Sequence, residues 1–461
     1  MNGFWTHLRH LWRTMLARPR TAASVALAFA ILGLGVWSCQ TTPAARAPLH
    51  LGDSVKSSVE PEVRIRIRSA LQTVKLEGPK SMKIQRTGEP ARIVEGPLNF
   101  AVMASGVRMT DGTGISSVLD GFNPIEVTSL GEVSPPPRIH VESSYYPGHL
   151  RIYPRGAASM AEDSATAAPG LSRMEIIALM PIEEYLIGVV AAELYPDWKS
   201  PGVFEVQAVC ARTYALHERQ RSIEKGQEWD LESTEEDQAY KGGTVKPEAL
   251  KAVRETRGVV MTWNGKLLRA YYSSTCGGRV ASAADVWPTG PGYEFNLAGP
   301  IQAHHREALC QASPKYRWEV TRDRTTFSKQ LREWGKAKNH AIAGLGLFKS
   351  MSVEKVNADE RPSKYTVVDG AGKTYSITAE FMRNACNFKG AGLPALANNQ
   401  LVRSGDVEIE VKGTNVVIRG RGFGHGVGMC QFCAKAMADR GDSWQVMLAR
   451  FYPGAKVERA F

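Results

Sequence analysis

Glu193 closes the segment Pro181-Ile-Glu-Glu-Tyr-Leu-Ile-Gly-Val-Val-Ala-Ala-Glu193. Ile182, Leu186, Val189 and Glu193 fall on one face at helical period, so the carboxylate rides on an apolar stripe. A carboxylate turned toward apolar surroundings loses hydration, its pKa rises, and it can keep a proton near neutral pH, the state a general acid needs. The competing reading leaves Glu193 half exposed at the helix end and ion-paired with Arg212 or Lys199.

A second chemistry-bearing stretch runs Gly420-Arg-Gly-Phe-Gly-His425-Gly-Val-Gly-Met-Cys430-Gln431. Glycine at every second position predicts an extended segment with one bare face, which admits a flat ligand or another strand. Arg421, Phe423, His425, Val427 and Met429 would fill the other face. The alternative is a glycine-rich core strand under a helix. A histidine flanked by glycines keeps an accessible ring and a pKa in the physiological range. The spacing is not a dinucleotide fingerprint, and no phosphate-loop lysine follows.

The third is Ala270-Tyr271-Tyr272-Ser273-Ser274-Thr275-Cys276-Gly277-Gly278, a hydroxyl-rich run able to face a polar ligand at a strand edge, or simply ordinary strand and turn chemistry. It has no G-x-S-x-G elbow. Cys430 and Cys433 form a C-x-x-C pair that Cys276 and Cys310 could complete as a zinc site, with His304 or His305 as alternates. Paired disulfides explain the same even count.

These residues need elements to hold them. Pro181 can start a helix, with Glu183 and Glu184 in its first turn, and Pro196 ends it. Ser200 reads as the N-cap of a second helix running to about Arg221. A helical stretch follows Pro247. Gly258-Val-Val-Met and Leu268-Arg-Ala-Tyr-Tyr read as a strand pair joined by Asn264-Gly265. From Lys315 to Val411 strands alternate with helical patches at Phe327 to Trp334 and Ala379 to Ala385. Upstream, apolar alternation from Val63 to about Tyr153 predicts short strands. The organisation expected is a leader over 1–38, a linker over 39–60, a β-rich domain over 61–155 and a larger domain over 171–461.

The chain has 461 residues, 43% hydrophobic and 22% charged, which sets aside wholesale disorder and a polytopic membrane protein. Four arginines and no acid precede an apolar run from Ala22 to Trp37, the pattern of an export signal. Cys39 stands where a lipid-modified cysteine would, with a plain signal peptide or an uncleaved anchor as alternatives. The net charge of +11 falls to about +7 once that leader is removed, and the implied partner is an envelope polyanion more than nucleic acid.

Four stretches taken together, Pro181 to Glu193, Val206-Gln207-Ala-Val-Cys-Ala-Arg212-Thr-Tyr214-Ala, Tyr272-Ser-Ser-Thr-Cys-Gly-Gly278 and Gly422 to Gln431, resemble the sporulation stage II protein D (SpoIID)/LytB amidase-enhancer family. Order and spacing agree from about Leu171 to Gly454. The resemblance implies an α+β fold with a SpoIID-like catalytic domain behind a small β-rich leader domain. It also implies action on peptidoglycan glycan strands stripped of their stem peptides by an amidase, as a lytic transglycosylase with Glu193 as the acid. Gln207, Arg212, Tyr214, Gln238, Tyr240, Ser274, Gly277, His425, Gly426 and Gln431 fall in or near motif positions and are the expected substrate-binding set. Where the family reads Met-Ser-Gln-Tyr-Gly-Ala, this chain reads Met429-Cys430-Gln431-Phe432-Cys433-Ala434. A zinc-binding insert of some family members has no counterpart here, because Glu218 to Asp237 contains neither Cys nor His. The expectation is therefore no cofactor, with zinc on Cys276, Cys310, Cys430 and Cys433 left open. A non-catalytic glycan-binding protein that recruits or stimulates an amidase is the alternative function, and a structural envelope lipoprotein the third.

Overall fold

Apolar residues alternate along Glu62–Leu71, with Val63, Ile65 and Ile67 pointing into the core. The computed structural model describes residues 59–131, 137–157, 172–243 and 245–461. The expected leader, Cys39 and all but the last two residues of the expected linker lie outside them. None of the described helices is long and apolar enough to cross a membrane.

Two sheets form the N-terminal part. One has seven strands in the order Leu231–Glu232, Glu62–Leu71, Arg173–Pro181, His149–Arg155, Ile125–Ser129, Ser81–Arg86 and Arg92–Glu95. The other has six, running Ser144–Pro147, Arg138–Val141, Thr73–Glu77, Leu98–Val102, Gly106–Thr110 and Ser116–Asp120. Pairing is antiparallel except between Glu62–Leu71 and Leu231–Glu232. Arg173–Pro181 is buried along nearly its whole length, the pattern of a strand covered on both faces. Met174, Ile176, Ala178 and Met180 enter the main core, while Ile177 and Leu179 pack with Tyr153 and Trp229 on the other side.

That strand feeds directly into α1 (Ile182–Glu193), with Pro181 at its N-cap. A short connection leads to α2 (Pro201–Glu224), whose N-cap position is Ser200. At 24 residues α2 spans about 36 Å. It is buried on nearly every face of its first five turns, as expected of a helix at the centre of a core. Next comes α3 (Pro247–Glu255), then the strand Val259–Trp263, which turns through Asn264 and Gly265, both at positive φ, into Lys266–Leu267. The hairpin is therefore present, but its second strand stops at Leu267. Tyr272–Ser273 instead pairs in parallel with Met429–Cys430.

The remaining helices are α4 (Ala283–Val286), α5 (Arg324–Ala337), α6 (Ala379–Cys386), α7 (Gln431–Asp439) and α8 (Trp444–Phe451). Asp323, Thr378 and Ser443 cap α5, α6 and α8 by accepting backbone N–H bonds. Between Arg317 and Arg421, two three-stranded sheets and helices α5 and α6 enclose a second apolar core around Phe327, Leu331, Phe348 and Tyr365. Helices and strands mix throughout, the α+β class expected.

Arg212 is not a substrate ligand. It is fully buried in α2, pairs with Glu183 of α1 at 2.7 and 2.8 Å, and donates to the carbonyls of Val253 and Val259. A guanidinium has five donors and no acceptor, so one buried arginine can tie α1, α2, α3 and the following strand together. Removing one partner strands the other charge out of water. Arg212→Met is expected to cost about 3–5 kcal/mol in denaturant unfolding, with part recovered when Glu183→Gln is added. An Arg212→Met protein of unchanged midpoint would contradict that role.

Candidate functional site

Glu193 is the last residue of α1, and its carboxylate turns into a cleft of about 630 Å³. Its Oε1 accepts the Ala239 backbone N–H at 3.0 Å and faces the Tyr272 hydroxyl at 3.4 Å. Both donors are neutral. Neither competing ion pair forms, since Arg212 pairs with Glu183 and Lys199 with Glu248. Burial raises the Glu193 pKa, the hydrogen bonds from Ala239, Gln431 and Tyr272 only partly oppose this, and the nearby Glu235 charge adds to the rise. The helix C-terminus, with its partial negative charge, works in the same direction.

The donors are themselves oriented. Gln238, fully buried, takes a bond from Tyr185 on its oxygen and donates its NH2 to the Ala211 carbonyl and to the Tyr272 hydroxyl oxygen at 3.1 Å. With its oxygen occupied as an acceptor, Tyr272 directs its own proton toward Glu193. Gln431, the first residue of α7, donates to the Glu193 carbonyl at 3.4 Å and to Gln207 Oε1 at 3.1 Å.

The expected binding set therefore divides. Glu193, Tyr214, Ser274, His425 and Gln431 line the cleft. Gln207 and Gln238 are buried behind it and hold the residues that do. Tyr240 is a core residue, packed on Tyr185 with its hydroxyl against Met180 Sδ. Gly277 and Gly426 serve the backbone: a side chain at Gly277 would meet Arg421 and Gly422 at 2.6 Å, and one at Gly426 would meet the Arg361 guanidinium at 2.8 Å.

The glycine-rich segment is not an extended strand with a bare face. The strand ends at Arg421, and Gly422, Gly424, Gly426 and Gly428 all take positive φ, between 70° and 96°. Only glycine adopts that conformation at low cost, and the alternation makes a coiled loop rather than a pleat. The loop lies directly on the hydroxyl-rich run, with the Gly422 and Gly428 Cβ positions 2.4 Å from the Thr275 carbonyl oxygen and 2.1 Å from that of Tyr271.

His425 differs from expectation too. Burial pushes its imidazole pKa down to about 3, and the guanidinium of Arg383 acts the same way. The ring is neutral at physiological pH. Its Nδ1 accepts the Val427 N–H at 3.0 Å, and it packs edge-on to Trp287. Trp287 stacks flat on Tyr271 with centroids 3.8 Å apart, which gives the cleft an aromatic wall.

Sequence reasoning missed Tyr272, although it opens the quoted motif, and it missed Asp237, Arg269, Trp287 and Arg383. Tyr214 donates to Asp237 and accepts from Arg269, and Arg269 pairs with Glu218. These contacts join positions between 23 and 55 residues apart, and no local period marks them. The structure also gathers Cys276, Cys310, Cys430 and Cys433, all buried, with every sulfur within 4.8 Å of the others. His304 and His305 stand apart, bonded to backbone carbonyls and to Asp359 respectively.

Comparison with known proteins follows the same residues. The family model described as stage II sporulation protein matches residues 171–263. Stage II sporulation protein D of Bacillus subtilis is 27% identical over 295 residues, covering 61% of this chain and 75% of that protein. An uncharacterised protein of Brachyspira hyodysenteriae is 27% identical over 286 residues, covering 62% of this chain and 68% of its own. The amidase enhancer of Bacillus subtilis is 25% identical over 291 residues, covering 58% of this chain and only 39% of that protein. The resemblance carried by the four motifs is thus borne out.

A raised pKa means that the folded protein holds the Glu193 proton more tightly than the unfolded chain does. The associated stability is complete below the unfolded pKa and is lost as pH rises through the folded one. Glu193→Gln, which keeps the neutral shape, is expected to gain stability relative to the native protein as pH rises above the ordinary carboxylate value of about 4. Parallel stability curves for the two proteins in denaturant titrations would refute the raised pKa.

Proposed function

From the match of residues 171–263 to the stage II sporulation protein family model and the similarity to an amidase enhancer, we propose that this chain works on the bacterial cell wall. More specifically, we propose that it cleaves amidase-denuded peptidoglycan glycan strands as a lytic transglycosylase. The observation that carries this reading is Glu193: a carboxylate of raised pKa, in a cleft, held by neutral donors alone.

Protonated Glu193 would give its proton to the glycosidic oxygen as the bond to the anomeric carbon breaks. The resulting carboxylate would then take the proton of the muramic acid C6 hydroxyl as that oxygen closes on the anomeric carbon. The product is a 1,6-anhydro end, and no water is consumed. One carboxylate suffices, whereas hydrolysis normally needs a pair. Of the other carboxylates that line the cleft, Asp237 is engaged by Tyr214 and the Glu232 N–H and Glu380 by Arg383, while Glu235 and Glu236 are exposed. When Glu193 ionises, the Tyr272 proton already faces it. The Trp287 wall suits a sugar face, and of the cations lining the cleft Lys241 is offered to the lactyl carboxylates that an amidase exposes, Arg269 and Arg383 being paired with Glu218 and Glu380. The leader pattern fits an exported protein tethered in the envelope.

The amidase-enhancer relative favours a second reading, a glycan-binding protein that recruits or stimulates an amidase. Product analysis on amidase-stripped strands separates the two. Anhydro-muramic ends are expected from the native protein, with Glu193→Gln slower by roughly 10²–10⁴-fold and with the native rate falling as pH climbs through the raised Glu193 pKa. Glycan binding without cleavage by either protein would transfer the role to the amidase partner.

A further inference from the structure

The four gathered cysteines lie behind the cleft, outside the machinery assigned above. Their side chains come from three stretches of chain: Cys276 follows the hydroxyl-rich run, Cys310 sits in a loop, and Cys430 and Cys433 occupy the N-cap and first turn of α7. Each is at most 2% exposed. The sulfurs of Cys276 and Cys310 are 3.6 Å apart, and those of Cys276 and Cys433 are 3.9 Å apart. These distances exceed a disulfide bond of about 2.05 Å. They match the edge of a tetrahedron of sulfurs about a zinc ion, where a Zn–S distance of about 2.3 Å sets neighbouring sulfurs about 3.8 Å apart.

The surroundings suit thiolates. Cys430 Sγ accepts the Cys276 backbone N–H at 3.2 Å, and Cys430 and Cys433 sit at the N-terminal end of α7, whose partial positive charge favours thiolates. The buried Arg306 guanidinium interacts electrostatically with Cys276, and its Nη2 donates to the Gly428 carbonyl. Four thiolates and one divalent ion leave a net charge of −2, which that cation partly balances.

We propose that Cys276, Cys310, Cys430 and Cys433 bind one structural zinc ion. With four protein ligands the site is closed, so the metal takes no part in bond cleavage. It fastens together the pieces that carry the cleft. Ser274 lies two residues before Cys276, Tyr272 four before it, and Gln431 sits inside the Cys430–Cys433 pair. A sulfur set this tight also leaves no room for a multi-iron cluster at its centre.

Metal analysis of the purified full chain after dialysis against a mild chelator reads the proposal without reference to activity. One zinc per chain is expected, and cobalt exchanged into the site should show the sulfur-to-metal charge transfer and intense visible bands of a tetrahedral thiolate. Cys433→Ser is expected to cut retained zinc at least about tenfold, while Cys386→Ser, whose sulfur lies in the second core beside Met382, should retain it. Should Cys433→Ser fail to fold, the zinc content and cobalt spectrum of the native chain still decide. Metal-free protein with these cysteines paired as disulfides in peptide maps would overturn the proposal. So would four free thiols without metal, or iron in place of zinc.

Discussion

The site depends on one close approach of two backbones, the run Tyr271 to Gly277 against the coil Gly422 to Gly428. Alternate glycines let the coil turn at positive φ and remove the Cβ atoms that would strike the Tyr271 and Thr275 carbonyls. The approach is pinned by reciprocal N–H bonds between Thr275 and Phe423 and by the Met429 N–H on the Tyr271 carbonyl. Everything chemical hangs from it. Tyr272 is aimed at Glu193, His425 is packed on Trp287, Cys276 meets Cys430, and Gln431 is delivered to the end of α1.

Three glutamates of the same helical core show how neighbours, rather than burial alone, set the state of a carboxylate. Glu183 faces Arg212 and makes an ion pair that locks helices. Glu218 is just as enclosed, and burial works to raise its pKa, yet the His217 hydrogen bond and the guanidiniums of Arg269 and Arg221 hold it down to about 2. Glu193 meets neutral donors, the Ala239 amide, the Gln431 side chain and the Tyr272 phenol, so burial prevails. Placing arginines on two of the three and withholding one from the third differentiates them within a single apolar framework.

Much of this was legible in sequence where a signal repeats locally. The helix ending in Glu193, the Ser200 start of α2, the Asn264-Gly265 turn and the patches that become α5 and α6 all follow from period and cap chemistry. The α+β class follows from the same reading. What could not be read was long-range. Arg212 sits in a motif, and nothing local distinguishes a guanidinium reserved for Glu183 from one reserved for a ligand. The alternate glycines suggest a pleat by spacing, whereas their use is positive φ, a property of backbone angles that spacing does not encode. The four cysteines, spread over 158 residues, could be named as a zinc set from sequence, but disulfides explain them equally well until the fold brings the sulfurs within 4.8 Å.

The strand Arg173–Pro181 lies between Glu62–Leu71 and His149–Arg155, and it runs without a break into the helix that carries Glu193. The stretch that matches the family model begins at residue 171, yet the ladder holding its first strand is built from residues far upstream. The N-terminal sheets are consequently a mount for the helix that ends in Glu193. A chain cut at the start of the match would bare both edges of an apolar strand, inviting association through those edges just where the helix that carries Glu193 begins.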